Sequence, residues 1–447
     1  MKNKERETQR TLGLFSLVTL GVGLTIGSGT VSLPGAALAM TGRSMWIAFA
    51  VAVIAGFILL LPWVFSAATI RMKGGDYTMV QALVGEKVSG IFIWNVLFQQ
   101  FSISSLGIAG GEYLQSLFPN VNAKIAGLII VAFFFVLNLF GVDLMSKLQN
   151  AMFFLLMAGL LTFIICGMAK LMPDTFAVST SPEGYTGGGL GFFNAVIILM
   201  YACTSHQCLP YFGDNAKDAR RDIPKAMVIT SLIILVIYAL LGLVAGNVLP
   251  VEQVAGQPLT VVAREILPFP LFVFFMIASP FAAIFTTLNS IFLAAALNVV
   301  ASAEDGWFPK WFCKRNKHGI PVVCMLALFI LTMIPQFIGM NIGAVVTQTM
   351  LLQYTLKFVN IYAVLRIPTK LPEFWAKSKM HMPNWLFYSI MGLVILVQLG
   401  VIATSLLSMT LNSILVSAAI LVICAIVPVV RYKKGLVHIT LTDEDLY

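Results

Sequence analysis

The chain has 447 residues, of which 59% are hydrophobic and only 11% are charged, and its mean hydropathy is +0.92. Soluble domains carry about 25% charged residues, so the composition excludes an ordinary soluble protein and indicates an integral membrane protein. The net charge of +9 does not indicate nucleic-acid binding, because the basic residues follow a membrane orientation.

Apolar runs of about 20 residues recur along the chain, and each is long enough to cross a bilayer as an α-helix. The runs are continuous rather than alternating, which excludes a transmembrane β-barrel. We predict an all-α membrane protein with twelve spans, at 12–40, 43–69, 89–117, 123–140, 150–172, 190–212, 226–249, 267–303, 320–338, 341–366, 384–408 and 409–431.

Basic residues gather on one side of these spans. Of the 28 Lys and Arg residues, 23 share a side with the N-terminus, four lie on the other side, and Lys357 lies inside a span. Cytoplasmic loops collect Lys and Arg, so we expect both termini to be cytoplasmic and the protein to lie in the cytoplasmic membrane. A single transmembrane domain is expected over 1–431, with a short cytoplasmic tail over 432–447.

Glycines and hydroxyl residues interrupt the first span, in GVGLTIGSGTVSLP at 21–34, and polar residues interrupt the sixth, in MYACTSHQCLPYFG at 200–213. Small residues in membrane helices often serve only close packing, and this explanation stays open for Gly21 and Gly23. The matching interruptions instead predict two five-helix halves of opposite orientation, about 12–172 and 190–366, with two extra helices at about 384–431.

Unwound backbone in a membrane is tolerated where it lines a cavity or is buried in protein. Each break frees amide groups on one side and carbonyl groups on the other, and the helix ends carry partial charges of opposite sign. Freed amides suit a carboxylate, and freed carbonyls suit an ammonium group or a cation. The two breaks therefore predict a site for a zwitterion without a charged protein side chain.

Four motifs, in order along nearly the whole chain, resemble the amino acid–polyamine–organocation transporters. They are IGSG at 26–29, GGDYTMVQALVGEKVSGIFIW at 74–94, DNAKDARRDIPKA at 214–226 and LNSIFLAAALNVVASAEDGWFPKWF at 288–312. The resemblance implies a LeuT-like 5+5 inverted repeat with two extra helices. It also implies a secondary transporter, or permease, of amino acids or related amines that works by alternating access as a symporter or antiporter.

The same resemblance assigns the substrate to the two breaks. The carboxylate would bind amides around Ser28, Gly29 and Thr30, and the amine would face carbonyls in the sixth span. The full predicted set is Ile26, Gly27, Ser28, Gly29, Thr30, Tyr201, Ala202, Cys203, Thr204, Ser205 and His206. Gln207 replaces the acidic residue that is common in the family, which favours a neutral amino acid. A polyamine or a modified amino acid is the alternative.

The coupling ion stays open between sodium, a proton and substrate exchange. AAIFTT at 282–287 resembles the sodium-binding stretch of LeuT-like symporters, which implies ligands from Gly23, Ile26, Ala283, Thr286 and Thr287. Back-bonding of the two threonine hydroxyls to the preceding turn is the alternative. The lysine that replaces sodium in some family members would align with Leu156, so it is absent here.

Two further residues have more than one interpretation. His206 is either linked to a proton, since its unperturbed pKa of about 6.5 lies in the working range, or a hydrogen-bonding structural residue. Lys357 is a cation surrogate, a partner for Glu112, or a structural or gating charge, and Gln207 is a further gating candidate. Membrane placement of a lysine is costly, so Lys357 is expected to face the helix bundle or a wet cavity.

Other function classes find little support in the sequence. No H-E-x-x-H, phosphate-loop or G-x-S-x-G motif indicates a membrane enzyme, and an ion channel would need a repeated pore loop. Cys203, His206 and Cys208 in CTSHQC suggest a metal site only weakly, because no second ligand cluster accompanies them. We expect a small amino acid as substrate, the lipid bilayer as surroundings, no resident cofactor, no nucleic acid and no obligatory protein partner.

Overall fold

The computed structural model describes residues 11–27, 29–72, 75–340 and 342–439, and their regular elements are helices. The first eight long helices are α1 (Leu14–Thr25), α2 (Gly29–Thr41), α3 (Met45–Thr69), α4 (Asp76–Leu83), α5 (Glu86–Gln99), α6 (Ser104–Leu117), α7 (Ala123–Asn138) and α8 (Val142–Met168). The others are α9 (Gly188–Met200), α10 (Ala219–Asn247), α11 (Phe269–Met276), α12 (Ala282–Glu304), α13 (Val322–Phe337), α14 (Ile342–Leu365), α15 (Asn384–Ser408) and α16 (Leu411–Lys433).

Shorter pieces connect these helices. The 3₁₀ helices of more than three residues are Gln100–Ile103, Ser205–Phe212 and Lys310–Cys313, and a π-helical turn at Ile277–Phe281 joins α11 to α12. That turn contains Pro280, which lacks the amide hydrogen that a regular α-helix needs there. Short α-helices occupy Thr175–Ser179, Val251–Val254, Thr260–Ile266, Ile367–Lys370 and Pro372–Ala376.

Among the described residues, eight helices are long and apolar enough to cross a membrane. Four shorter apolar helices lie at Leu14–Thr25, Ala123–Asn138, Val322–Phe337 and Leu351–Leu365. An all-helical membrane protein is thus confirmed, whereas the count of twelve spans and the 5+5 layout stay predictions. Several helices begin earlier than predicted, α8 at Val142 and α10 at Ala219, because the apolar pattern marks the bilayer core and the helices continue into polar turns.

The outer surface is apolar and the interior holds many polar side chains. Large apolar side chains are half exposed or more along α7 and α16, as expected for surfaces that face lipid, for example at Ile129, Phe133 and Leu415. Asn289 and Ser290 on α12 are fully buried. Buried polar groups must find hydrogen-bond partners within the bundle, so their contacts identify where the helices are joined most specifically.

The two broken helices lie side by side at the centre of the fold. α2 packs on α9, and α1 packs on the 3₁₀ helix Ser205–Phe212. The first and the sixth span therefore run in opposite directions. α10 covers α3 and also contacts α1, while α8 and α12 pack on the other face of α1. α15 and α16 carry the least buried of the apolar windows and lie at the periphery.

Candidate functional site

The first helix breaks close to the predicted position. α1 ends at Thr25, Ile26 leaves the helical region with ψ 86°, and α2 begins at Gly29. Gly27 therefore lies in the break, while Thr30 belongs to α2. The amide of Thr30 bonds to Gly27 O at 3.1 Å, and the start of α2 otherwise presents first-turn amides that have no preceding helical turn to bond. Ser28 lies outside the described residues.

The sixth span changes its helix type where the sequence predicted a break. α9 ends at Met200, one 3₁₀ turn covers Tyr201–Cys203, and Thr204 adopts φ −117° and ψ 0° before the 3₁₀ helix Ser205–Phe212 begins. The change leaves backbone carbonyls of this stretch without regular α-helical partners. Tyr201 is 38% exposed, so the outer part of this break is accessible.

The two breaks touch each other. A Cβ atom at Gly29 would lie 3.4 Å from the Cβ of Ala202, and a Cβ at Gly27 would lie 3.0 Å from Thr287 Oγ1 and 3.8 Å from Leu106. Glycine at these positions thus permits α6, α12 and the sixth-span break to approach the first-helix backbone. The start of α2, which favours negative charge, consequently lies next to the freed carbonyls of the sixth span.

Tyr238 on α10 joins the two breaks, and the sequence patterns did not single it out. Its hydroxyl lies 3.3 Å from Thr25 O, 3.2 Å from Ala202 O and 2.9 Å from Thr30 Oγ1. The ring is fully buried and packs on Phe49 with centroids 5.0 Å apart. A tyrosine inside an apolar helix needs a hydrogen-bond partner for its hydroxyl, and this is the signal that sequence reasoning could have used here.

Cys203 and Thr204 face away from the first helix. Their side chains pack on Gly56 of α3, where a Cβ would lie 3.3 Å from Cys203 Cβ and 3.1 Å from Thr204 Cγ2. Cys203 Sγ donates to Leu199 O at 3.2 Å. The predicted substrate set is therefore divided: Gly27, Gly29, Thr30 and Ala202 lie together, whereas the side chains of Cys203 and Thr204 line the junction with α3.

His206 lies behind the breaks, between α1 and α10. Its Nδ1 is 3.0 Å from Thr25 Oγ1 and its Nε2 is 2.8 Å from Ser231 Oγ. Both hydroxyls also reach backbone carbonyls, Thr25 that of Gly21 and Ser231 that of Met227. The imidazole is 1% exposed and has both nitrogens engaged, and neither Cys203 nor Cys208 joins it in a metal-binding group among the described residues.

Four of the five residues of the predicted cation site meet where α1 contacts α12. Thr287 Oγ1 lies 2.8 Å from Gly23 O and 2.9 Å from Ala283 O, and Thr286 Oγ1 donates to Ala283 O at 3.0 Å. Ile26, the fifth, caps α1 one residue beyond Thr25. The oxygen atoms converge as a cation site would require, and the threonine hydroxyls also bond back to their own helix. The cation-site interpretation and the back-bonding interpretation therefore describe the same atoms.

Gln149 is the α8 residue that reaches this junction. A Cβ at Gly23 would lie only 1.7 Å from Gln149 Nε2, so the amide of Gln149 packs directly on the Gly23 Cα. Asn289 Nδ2 donates to Gln149 Oε1 at 3.1 Å and orients that amide. Leu156, the position aligned with the family lysine, is a fully buried apolar residue two turns further along α8.

The residues at this junction bond to one another in the arrangement observed. Sodium needs oxygen lone pairs that face the ion. Each threonine hydroxyl instead lies within hydrogen-bonding distance of a carbonyl that would be a ligand, and the amide nitrogen of Gln149, a donor, packs on Gly23. The cluster is closed by its own hydrogen bonds.

Lys357 lines a small cavity below the sixth-span break, on the predicted cytoplasmic side. The cavity is bounded by α3, α5, the 3₁₀ helix Ser205–Phe212 and α14, and Asp76 at the start of α4 also lines it. Lys357 forms no ion pair with Glu112 in the described part of the chain, which excludes that partner in this structure. Gln207 lines the same cavity, and its Oε1 is buried without a hydrogen-bond partner among the described residues.

Two touching helix breaks in a multi-pass helical protein are typical of secondary transporters. The Amino acid permease family matches residues 12–428. The chain therefore belongs to the Amino acid permease family, and it is a transporter and not an enzyme.

Three relatives show how similar the chain is in sequence to other transporters. The branched-chain amino acid permease BcaP of Bacillus subtilis (strain 168) is 23% identical over 58% of this chain and 60% of its own length. BcaP of Lactococcus lactis subsp. cremoris (strain MG1363) is 22% identical over 83% of this chain and 86% of its own. The serine/threonine exchanger SteT of Bacillus subtilis (strain 168) is 26% identical over 55% and 58%. The match to the first of these covers less than two thirds of its length.

Proposed function

We propose that the protein moves a neutral α-amino acid across the cytoplasmic membrane by alternating access. The observation that carries this proposal is the contact between Gly29 and Ala202, which places the amide-rich start of α2 beside the carbonyls freed by the sixth-span break. A carboxylate is stabilised by the first and an ammonium group by the second. The backbone of the protein thus recognises both charged groups of an α-amino acid without a charged side chain.

The neutrality of the substrate rests on the side chains around the breaks. Residues 21–34 and 200–207 contain no Asp, Glu, Lys or Arg, so a charged substrate side chain would have no ionic partner there. Two relatives are named for branched-chain amino acids and one for serine and threonine, which are all neutral. A polyamine is the less favoured candidate, because two ammonium groups would need acidic partners.

The asymmetry of the two ends supports alternating access. On the predicted cytoplasmic side, Phe15 of α1 stacks on Phe154 of α8 with centroids 6.0 Å apart, and Arg71 pairs with Asp214 at 2.9 Å. On the opposite side of the breaks, Tyr201 is 38% exposed. The predicted cytoplasmic end thus carries an aromatic contact and an ion pair between different elements, and alternating access requires that such contacts break when that end opens.

We propose further that transport does not require sodium. The hydroxyls of Thr286 and Thr287 already bond to the carbonyls that sodium would need, and Gln149 fills the space beside Gly23. Sodium coupling is the second candidate, and the convergence of oxygen atoms from Gly23, Ala283 and Thr287 is what favours it.

Counterflow in proteoliposomes tests the function. Vesicles loaded with an unlabelled neutral amino acid should take up the same labelled amino acid in a saturable manner, and replacing sodium by N-methylglucamine on both sides should leave the rate unchanged. Leucine, isoleucine, serine and threonine are the first substrates to test. Saturable exchange of arginine or putrescine, with none of any neutral amino acid, would contradict the proposal.

A pair of glycine variants connects the activity to the site. Gly29→Val places methyl groups between Leu33 and Ala202, where even a Cβ would be 3.3 and 3.4 Å from its neighbours, and should reduce counterflow at least about tenfold. Gly400→Ala on α15 is the matched control, because no atom lies within 4 Å of its added Cβ, and it should transport like the wild type. Equal activity of both variants would show that the Gly29–Ala202 contact is not part of the substrate site.

A further inference from the structure

The cavity below the sixth-span break contains two side chains of opposite charge. Asp76 is 3% exposed, and Lys357 lines the cavity from α14. The cavity has room for about one or two water molecules. Neither residue belongs to the substrate breaks, and buried ionisable groups in a membrane protein are energetically costly and commonly mark functional sites.

One carboxylate holds three elements together. Trp63 Nε1 of α3 donates to Asp76 Oδ1 at 2.9 Å, while Tyr211 OH of the 3₁₀ helix and Asn360 Nδ2 of α14 donate to Oδ2 at 3.1 and 2.9 Å. Hydrogen bonds to an ionised acceptor are about twice as strong as neutral ones, so the charge on Asp76 strengthens all three contacts. Gly75 fixes the start of α4, because its φ of +66° and the packing of the Tyr211 ring on it exclude a side chain.

The region around Asp76 holds hydrogen-bond donors for the ionised carboxylate and unpartnered acceptors among the described residues. The ionised carboxylate accepts the three donors above. A protonated carboxyl needs an acceptor, and two buried amide oxygens, Gln207 Oε1 and Asn360 Oδ1, have no partner within the described residues. Lys357 lines the same cavity, so its Nζ is available to a water molecule between itself and Asp76.

The charged and titratable groups near Asp76 come from several elements. They are Cys208 and Tyr211 on the 3₁₀ helix, Lys357 on α14, and Tyr77 on α4 with its partner Asp305 at the end of α12. α3 and α5 contribute only the uncharged residues Trp63, Phe92, Val96 and Gln99 to the cavity. Lys357 is thus the one cation among the described residues that line it.

We propose that Asp76 binds and releases a proton in this cavity during the transport cycle and that Lys357 stabilises its ionised form. The proton comes from water that enters the cavity and returns to water on release, so no other reactant is needed. Release of the proton places a charge in a cavity with room for about one or two water molecules, so the ionised form favours a more hydrated arrangement.

The inference rests on the proposed function and is tested separately from it. Counterflow at equal pH on both sides reports substrate exchange, whereas accumulation driven by a pH gradient, acid outside, reports linkage to protons. Wild-type vesicles should show both. Absence of counterflow in the wild type would contradict the proposed function, and counterflow without any response to the gradient would overturn the linkage alone.

Three variants locate the proton site. Asp76→Asn should lose gradient-driven accumulation by about tenfold or more and keep measurable counterflow. Asp76→Glu keeps a titratable carboxyl and should accumulate substrate. Lys357→Met should move the midpoint of the pH dependence to higher pH, because a carboxyl without its cation holds the proton more tightly.

Glu304→Gln is the matched control, since it removes an exposed carboxylate that pairs with Arg315 at 2.9 Å near the same end of the molecule, and it should behave like the wild type. Wild-type accumulation by Asp76→Asn would overturn the proposal. If Asp76→Asn does not fold, Lys357→Met decides, because an unchanged midpoint in that variant is also incompatible with a linked pair.

Discussion

The hydroxyl of Thr287 lies 2.8 Å from the carbonyl of Gly23, and this hydrogen bond joins α12 to the first helix two residues before that helix ends at Thr25. The same hydroxyl reaches Ala283 O, four residues back on its own helix. One side chain therefore connects the discontinuous first helix to a continuous neighbour, and any movement of α1 relative to α12 must break this bond.

Thr287→Val should weaken this junction. The substitution keeps the shape of the side chain and removes its donor, so the Gly23 carbonyl loses a partner inside the bundle, at a cost of about 1–3 kcal/mol. We expect a lower unfolding temperature in detergent and slower counterflow. Thr332→Val is the control, because the buried hydroxyl of Thr332 bonds only to Leu328 O within α13. Equal losses in both variants would show that the bond between helices has no special role.

Gly23→Ala should be poorly tolerated, because its Cβ would lie 1.7 Å from Gln149 Nε2. The amide of Gln149 would have to leave its place and its bond with Asn289. A second substitution, Gln149→Ala, removes the obstacle and should restore at least part of the folded yield, as measured by size-exclusion chromatography. A Gly23→Ala protein that is fully active on its own would contradict the observed packing of α8 on the first helix.

Tyr238→Phe should reduce transport more than it reduces stability. The ring keeps its packing on Phe49, but the hydroxyl that lies near Thr25 O, Ala202 O and Thr30 Oγ1 is lost. We expect counterflow to fall about tenfold, because the two breaks lose the group that holds them together. Tyr388→Phe, which removes the hydroxyl of an exposed tyrosine on α15, is the control. Unimpaired counterflow in Tyr238→Phe would argue against a fixed geometry of the breaks.

His206→Gln distinguishes the two interpretations of this histidine. With Nδ1 near Thr25 and Nε2 near Ser231, the ring links α1 to α10 and does not face the contact between the breaks. We therefore expect a less stable protein, by about 1–2 kcal/mol, whose counterflow keeps the wild-type dependence on pH. A changed pH profile would restore the proton-linked interpretation. His318→Gln replaces an exposed histidine and controls for the substitution itself.

The helix breaks could be predicted from the sequence because they depend on local chemistry. Glycine and hydroxyl residues inside an apolar run cannot form a strong helix, and α1 does end at Thr25, with Gly27 in the break. The direction in which individual side chains point could not be predicted. Whether Cys203 points at the substrate or at Gly56 depends on the rotation of a 3₁₀ turn, which no periodic pattern specifies.

Contacts between distant parts of the chain were also beyond the sequence patterns. Gln149 and Tyr238 look like ordinary residues of apolar helices, and only their packing on Gly23 and on the two breaks reveals their importance. Lys357 was recognised as unusual because a charge inside a span is costly. Asp76, which lines the same cavity, was not recognised as unusual, because an acidic residue in a predicted loop is ordinary.

The buried carboxyl of Asp76 should make stability depend on pH in a direction opposite to that of an ordinary salt bridge. Burial raises the pKa of Asp76 from 3.8 to about 6, although the bonds from Trp63, Tyr211 and Asn360 oppose the shift. The folded state then binds the proton more tightly than the unfolded state, so the contribution of Asp76 is greatest below about pH 4 and declines as the pH rises through 6. The difference amounts to roughly 3 kcal/mol.

Unfolding temperatures of the wild type and of Asp76→Asn, compared between pH 4 and 7, measure this dependence. The wild type should lose stability relative to the variant as the pH rises, because the variant has no proton to release. In a scan extended to lower pH, Asp174→Asn should show the opposite sign, since the bond from Arg43 lowers the pKa of Asp174 below its ordinary value and its contribution is lost only as the pH falls further. A stability difference for Asp76→Asn that is constant across this range would show that Asp76 keeps the same charge in the folded and unfolded protein.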